Sequence, residues 1–261
     1  MSQRPCSPSD KLTQTNPFLP QGVNFIFYFG TTFFQQLGTI GNPFLISLVT
    51  TLVNVISTPI SFWAIEHMGR RPLLNWGAVG MIISQLIVAV VGVTAGRADV
   101  DGAGGHNGAA VRAMIAFICI YIFFFAATWG PVGWVIVGEC FPLPIRSRGV
   151  GLSTAANWFW NCIIAVITPY MVGNEPGSAD LGPRVFFIWG SLCVLSLAFA
   201  YFLVPEMKGL TLEQIDEMMA QTTPRKSAGW RPTTTFAARM GRVRGESRDG
   251  SETQGGGGGT V

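Results

Sequence analysis

Gly130–Gly149, reading GPVGWVIVGECFPLPIRSRG, is the stretch that decides what kind of chain this is. It starts inside an apolar run and ends in a short basic loop, and between these lie Gly130-Pro131, Trp134, Glu139, Arg146 and Arg148. Ionised side chains at a membrane boundary are costly unless they are paired or snorkel to water, so their presence here points to a function. The pattern predicts Trp134 facing a polar cavity within a bilayer. Glu139 and Arg146 are then expected in a gate on one face.

The rest of the composition agrees with a membrane setting. Of 261 residues, 49% are hydrophobic and only 12% charged, whereas soluble domains carry about 25% charged residues. Six apolar stretches, 20–40, 43–65, 73–95, 112–138, 150–172 and 184–204, reach the roughly 17–25 residues that a helix needs to span. The expected fold class is an all-α membrane protein with six transmembrane helices over 20–204. Residues 1–19 are read as a polar, disordered N-terminus with no cleavable signal peptide. In 205–221, Thr211 with Gln214 makes a capping box, and Leu212, Ile215 and Met219 give an apolar edge, so a short amphipathic helix is expected. Residues 222–261 read as a disordered, basic, Gly-rich tail near anionic headgroups rather than a nucleic-acid binder.

Of the 17 Lys and Arg, only Arg97, Arg112 and Arg184 fall on the side opposite the N-terminus. The positive-inside rule therefore predicts that both termini are cytoplasmic. None of the five Cys has metal-ligand spacing, and they are expected to act as small buried hydrophobes. With no nucleophile–base pair and no metal cluster, the sequence reads as a protein without enzymatic activity or cofactor.

Polar residues inside the spans follow helical periodicity. In the first span Asn24, Tyr28, Thr31 and Gln35 share one face. The second repeats the pattern with Ser47, Thr50 or Thr51, Asn54, Ser57 or Thr58, and Ser61, and the fifth with Ser153, Asn157 and Asn161 beside Trp158 and Trp160. Such stripes either glue helices together or line a cavity. Asn amides suit hydroxyl ligands, with two donors and an acceptor each. Gly130-Pro131 permits a bend in the fourth span. Trp134 within it is either packing or an interfacial anchor, or it stacks on a sugar ring with an N–H able to donate. In EHMGRRP, 66–72, the arginines are either topology anchors or partners for carboxylates on neighbouring helices; one Arg can engage such a carboxylate bidentately. Spans three and six carry few polar residues and are expected at the lipid-facing periphery.

These motifs resemble the C-terminal half of the sugar porters of the major facilitator superfamily, most closely fungal hexose transporters. The resemblance rests on GVNFIFYFGTTFF, EHMGRRPLL, GPVGWVIVGECFPLPIRSRG, the Asn157-Trp158 pair and PEMKGLTLEQIDEM, in this order from about Gly22 to Met219. It implies sugar contacts at Asn24, Asn54, Trp134 and Asn157, with Trp158 alongside, and an outer gate at Tyr28. It also implies a cytoplasmic charge network of Glu66, Arg70, Arg71, Glu139 and Arg146. The expected activity is transmembrane transport of hexose-type sugars by alternating access, proton-coupled or facilitative, at the plasma membrane. The chain departs from the family in carrying Phe18-Leu19 where the family has a Gln pair, and Met207 in PEMKG where it has Thr. The family has twelve spans, so the chain reads as a half lacking the N-terminal six helices. Its expected partners are a monosaccharide, possible coupling protons, the bilayer, and either the missing half or a partner transporter chain. The alternatives are a sugar sensor or receptor, and a non-transporting regulatory fragment that pairs with a full-length transporter.

Overall fold

The computed structural model describes residues 22–36, 43–100, 108–141, 146–172, 179, 181–211, 214–215, 217–218, 222, 227 and 229–230. The expectations for 1–19, for Gln35, Leu212 and Met219, and for most of 222–261 lie outside the described residues or side chains. Contacts divide the chain into one compact unit over Met1–Ala228 and another over Gly229–Val261, of which only Gly229 and Trp230 are described. The architecture below is that of the first unit.

Its helices are α1 (Val23–Gln36), α2 (Pro43–Met68), α3 (Arg70–Val100), α4 (Gly108–Phe124), a π turn (Phe125–Trp129), α5 (Gly130–Cys140), α6 (Arg146–Val172) and, after a 3-10 turn at Gly182–Arg184, α7 (Val185–Leu203). The described residues include no strand. Among the described residues, five stretches are long and apolar enough to cross a membrane: α2, α3, the continuous α4–π–α5 helix, α6, and the 3-10 turn with α7. The first of the six expected spans is described as α1 alone, 14 residues, and 37–42 lie outside the described residues.

The core is organised on α3. Leu74, Ala78, Met81, Gln85, Val88 and Ala89 form its buried stripe, recurring every three to four residues as one helical face requires. α4 and α7 pack against it, and glycine makes the approach possible. A Cβ added to Gly77 would lie 2.0 Å from Thr128 Oγ1, and one on Gly80 would lie 2.6 Å from the Phe124 ring. Without a hydrophobic driving force between helices in lipid, such close backbone contact is a main source of association.

Spans three and six were expected at the periphery. Within this unit they bury the largest shares of the five, 44% and 39%, against 11% for α6, and each keeps an exposed apolar face as well. α3 turns Trp76, Val79, Ile83, Leu86 and Val90 outward in one apolar stripe, as a lipid-facing helix does, while its opposite face is packed against α4 and α7.

The π turn follows from Pro131. Proline has no N–H to give to the carbonyl four residues back, and its ring crowds that carbonyl. One turn earlier the helix widens, and Gly130 N–H reaches Phe125 O, five residues back. The widening is stabilised from α3: Trp129 Nε1 donates to Leu74 O at 3.0 Å in a fully buried contact.

Most span hydroxyls bond their own helix. Ser57 donates to Val53 O, Thr58 to Asn54 O, Thr128 to Phe124 O and Thr168 to Ile164 O. Back-bonding satisfies the donor of each hydroxyl in an apolar medium without a partner helix, and leaves its oxygen able to accept. α1 is held to α7 by aromatic rings. Phe25 and Phe33 meet Phe186 edge-on, and Phe25 stacks on Trp189, with centroids 5.5–5.9 Å apart.

Candidate functional site

The densest polar constellation lies where α2 ends, α3 begins, α5 ends and α7 gives way to Pro205-Glu206. The α2–α3 junction is a single residue, Gly69, at φ +89°, a conformation that costs glycine nothing. A side chain there would also collide with Glu206, since an added Cβ would sit 3.0 Å from both carboxylate oxygens. Glu206 uses that proximity. Its Oε1 accepts the N–H groups of Arg70 (3.2 Å) and Lys208 (3.0 Å), and its Oε2 that of Arg71 (3.2 Å). These include two of the unpaired N–H groups at the start of α3, where the helix dipole also favours an anion.

With its backbone fixed, Arg70 projects onto α5. Nη2 reaches Glu139 Oε1 at 2.8 Å and Nε reaches Oε2 at 3.3 Å. This two-point geometry is the strong form of an Arg–carboxylate contact. Arg71 donates to Tyr201 O at 2.7 Å and lies 5.5 Å from that ring's centroid. Lys208 Nζ donates to His67 O at 2.6 Å, capping the last turn of α2. Behind the cluster Cys140 Sγ lies 3.7 Å from Met207 Sδ, both side chains buried.

The partner of Glu139 differs from the one the sequence pattern suggested. Glu139 and Arg146 were expected together; among the described residues Glu139 pairs with Arg70. At Phe141 the backbone turns extended, φ −92° and ψ 130°, and Arg146 begins α6. It therefore does not continue the face of α5 two turns on. Its Nη2 remains near the end of α5, 3.9 Å from where a Cβ on Gly138 would be. Glu66 is exposed on α2 and forms no ion pair with a described residue.

The residues expected at sugar are spread over four helices. Asn24 on α1 donates through Nδ2 to Asn161 Oδ1 on α6, which ties those two helices together. Asn54 on α2 and Asn157 on α6 are half-buried, and their amides make no hydrogen bond among the described residues. Trp134 on α5, Trp158 on α6 and Tyr28 on α1 are exposed. The chain thus presents unsatisfied amides and uncovered aromatic rings on α2, α5 and α6. These groups are chemically fit to bind a hydroxylated ring, with amides for the hydroxyls and indoles for the C–H face.

Sequence reasoning left two residues of this arrangement without a role. Glu206 was seen only as a letter of PEMKG, although a carboxylate just after a span and near a Gly-Arg-Arg loop is itself a signal. Asn161 was placed on a polar stripe, and its position one turn from Asn157 was the available clue.

The sequence profile of a family described as "Sugar (and other) transporter" matches residues 19–219. The major facilitator-type transporter ecdD of Aspergillus rugulosus is 48% identical over 213 residues, covering 81% of this chain and 39% of the relative. A probable glucose transporter of Neurospora crassa, rco-3, is 45% identical over 201 residues, covering 76% and 32%. The high glucose sensor RGT2 of Saccharomyces cerevisiae is 43% identical over 197 residues, covering 76% and 24%. The chain therefore spans two fifths or less of the length of these relatives. Among solved structures, a double-Trp mutant of XylE superposes with a TM-score of 0.68 at 25% identity, over 80% of this chain and 42% of that one. The inward-open xylose transporter XylE from E. coli gives 0.62, also at 25%. Apolar helices packed around α3, a Gly-Arg-Arg junction clamped by Glu206 and a family match over most of its length agree: the chain is an integral membrane protein that belongs to the sugar transporter family of the major facilitator superfamily.

Proposed function

We propose that this chain is a six-helix half of a hexose transporter that works by alternating access against six further helices, supplied by the same longer polypeptide or by a partner chain. The observation that carries the reading is the Arg70–Glu139 pair, 17% and 25% exposed at its side chains. Held in place by Glu206, it is a shielded contact at the edge of water. Such a pair is stable when closed and can be parted by hydration when helices separate. On this reading the pair sits at the cytoplasmic face of the plasma membrane and closes the inner side of the pathway, with Glu66, Arg71 and Arg146 around it. Asn24, Asn54, Trp134, Asn157 and Trp158 hold the sugar, and Tyr28 closes over it from outside.

The test is uptake of labelled glucose by hexose-uptake-deficient cells expressing the chain together with the six N-terminal helices of a relative. Asn157→Ala is expected to reduce uptake by about tenfold or more, because a site built to bond a hydroxyl loses a buried partner. Uptake unchanged by both Asn157→Ala and Asn54→Ala would remove these helices from the sugar pathway. The likeness to a protein described as a glucose sensor supports a second reading, in which the same conformational change signals. A glucose-responsive reporter that switches without uptake would favour it.

A further inference from the structure

Beyond the last span, Ser227 meets the charge cluster through its hydroxyl. Ser227 is only 5% exposed, and its Oγ accepts the backbone N–H of Glu206 at 2.8 Å. Glu206 is the residue whose carboxylate sets the start of α3 and hence the aim of Arg70 at Glu139. Immediately before Ser227 the sequence reads Pro224-Arg225-Lys226. Basic residues just N-terminal to a serine are the feature that basophilic protein kinases read, through acidic groups of their own.

We propose that Ser227 is a phosphorylation site, and that its phosphate releases the Glu206 clamp and loosens the Arg70–Glu139 pair. The consequence for gating rests on the transport reading above; the modification and the loosening do not. In the reaction Ser227 Oγ attacks the γ-phosphorus of a nucleoside triphosphate bound to the kinase. The Oγ–P bond forms, the bond from that phosphorus to the β–γ bridging oxygen breaks, and the nucleoside diphosphate leaves. The hydroxyl proton passes to the kinase's catalytic carboxylate.

Two physical effects prevent phosphorylated Ser227 from returning to its place. A buried hydroxyl that fits against a backbone N–H leaves no room for a phosphoryl group. The group also brings about −1.5 to −2 charges next to the carboxylate of Glu206, which repels them. Because the serine is shielded in this position, a kinase meets it only after Ser227 has left Glu206. Such local openings belong to the low-stability end of any fold. Phosphorylation therefore selects the released state and traps it.

The reporter is Cys140, buried against Met207 beside the clamp. The full chain in membranes is treated with Mg-ATP and the catalytic subunit of a basophilic Ser/Thr kinase, then with N-ethylmaleimide, and both adducts are mapped by mass spectrometry. Phosphate is expected on Ser227 and lost in Arg225→Ala/Lys226→Ala. The rate of Cys140 labelling is expected to rise about fivefold or more on phosphorylation and in Ser227→Glu, the lower end of ordinary coupling between sites. Ser227→Ala, which removes the acceptor and adds no charge, is expected to change it less than about twofold on the same scale. The proposal is overturned if Ser227 carries no phosphate, if Ser227→Ala and Ser227→Glu label alike, or if phosphorylation slows labelling because Arg70 or Lys208 captures the phosphate. No sugar enters the assay, so its failure leaves the transport reading standing, and a failed uptake assay leaves this one standing.

Discussion

α3 and α6 are both long and apolar enough to cross a bilayer, yet they use their surfaces in opposite ways. Four tenths of α3 lies inside the unit, and its contacts are made through glycines and small residues placed for close approach. About a tenth of α6 is inside. The remainder carries Asn157, Trp158, Phe159 and Trp160, half-covered or exposed. In water so much uncovered apolar surface would aggregate; in lipid it costs nothing, because acyl chains are as apolar as Leu. Exposure on α6 is therefore not a defect of packing. The comparison teaches that hydropathy says where a helix lies relative to the membrane, while small residues say whether it lies inside the bundle. α3 is the frame, and α6 is a surface available for something else, which on the proposed reading is sugar and the opposing half.

The largest expected effect comes from attacking the frame. Gly77→Leu places a branched side chain where even a methyl group meets Thr128 at 2.0 Å, and neither backbone can withdraw without losing the Trp129–Leu74 hydrogen bond. Destabilisation of about 3 kcal/mol is expected, the upper end of ordinary overpacking, read as a lower melting temperature of the chain in detergent. A wild-type melting temperature would erase the distinction between frame and surface.

The charge cluster belongs to the frame by position and to the moving parts by exposure. Glu139→Gln leaves Arg70 with a neutral partner and is expected to cost about 2 kcal/mol, between the values for exposed and fully buried pairs. Adding Arg70→Gln is expected to recover part of that loss, as coupled partners do in a double-mutant cycle. Strict additivity would show that the two groups do not act as a pair.

Much of the frame was legible in the sequence, because a bilayer permits few backbone solutions and apolar length alone marks the helices. The boundaries near Met68, Cys140 and Leu203 follow from Gly69, Phe141-Pro142 and Val204-Pro205. The spacing of Gly77, Met81, Ser84 and Val88, at steps of three to four, is the mark of the buried face of α3 in the sequence. Two features were out of reach. The partner of Glu139 is 69 residues away in sequence, and a nearer guanidinium seven positions on looked equally suitable until the chain turned at Phe141. The π turn depends on whether the strain of Pro131 is relieved upstream or by a kink, and the neighbouring Leu74 carbonyl decides that. For the site residues, helical periodicity could place Asn24 and Asn157 on shared stripes. It could not show that Asn24 would be bonded to Asn161, since that contact joins two helices.

A smaller effect tests how far the frame extends into the π turn. Trp129→Phe replaces the indole with a smaller ring and removes the donor to Leu74 O, and a loss of about 1.5 kcal/mol is expected from the missing hydrogen bond and the space left in a buried site. Because α3 would keep its other contacts, the Cys140 labelling rate should stay near wild type. Faster labelling would mean that the π turn, not the Glu206 clamp, holds the end of α5.

The smallest effect is the most informative about α6. Gly149 and Gly151 are two residues apart on one helix, but a Cβ on Gly149 would lie 2.5 Å from the Phe141 ring, whereas one on Gly151 meets nothing within 4 Å. Gly149→Ala is expected to destabilise the chain. Gly151→Ala is expected to stabilise it by roughly 0.5–1 kcal/mol, through helix propensity and the lost freedom of the unfolded chain. The sign for Gly151 then becomes a footprint. If it reverses when six further helices are co-expressed with the chain, the open space beside Gly151 is where they dock. If the stabilisation persists in the assembly, that part of α6 faces lipid or water instead.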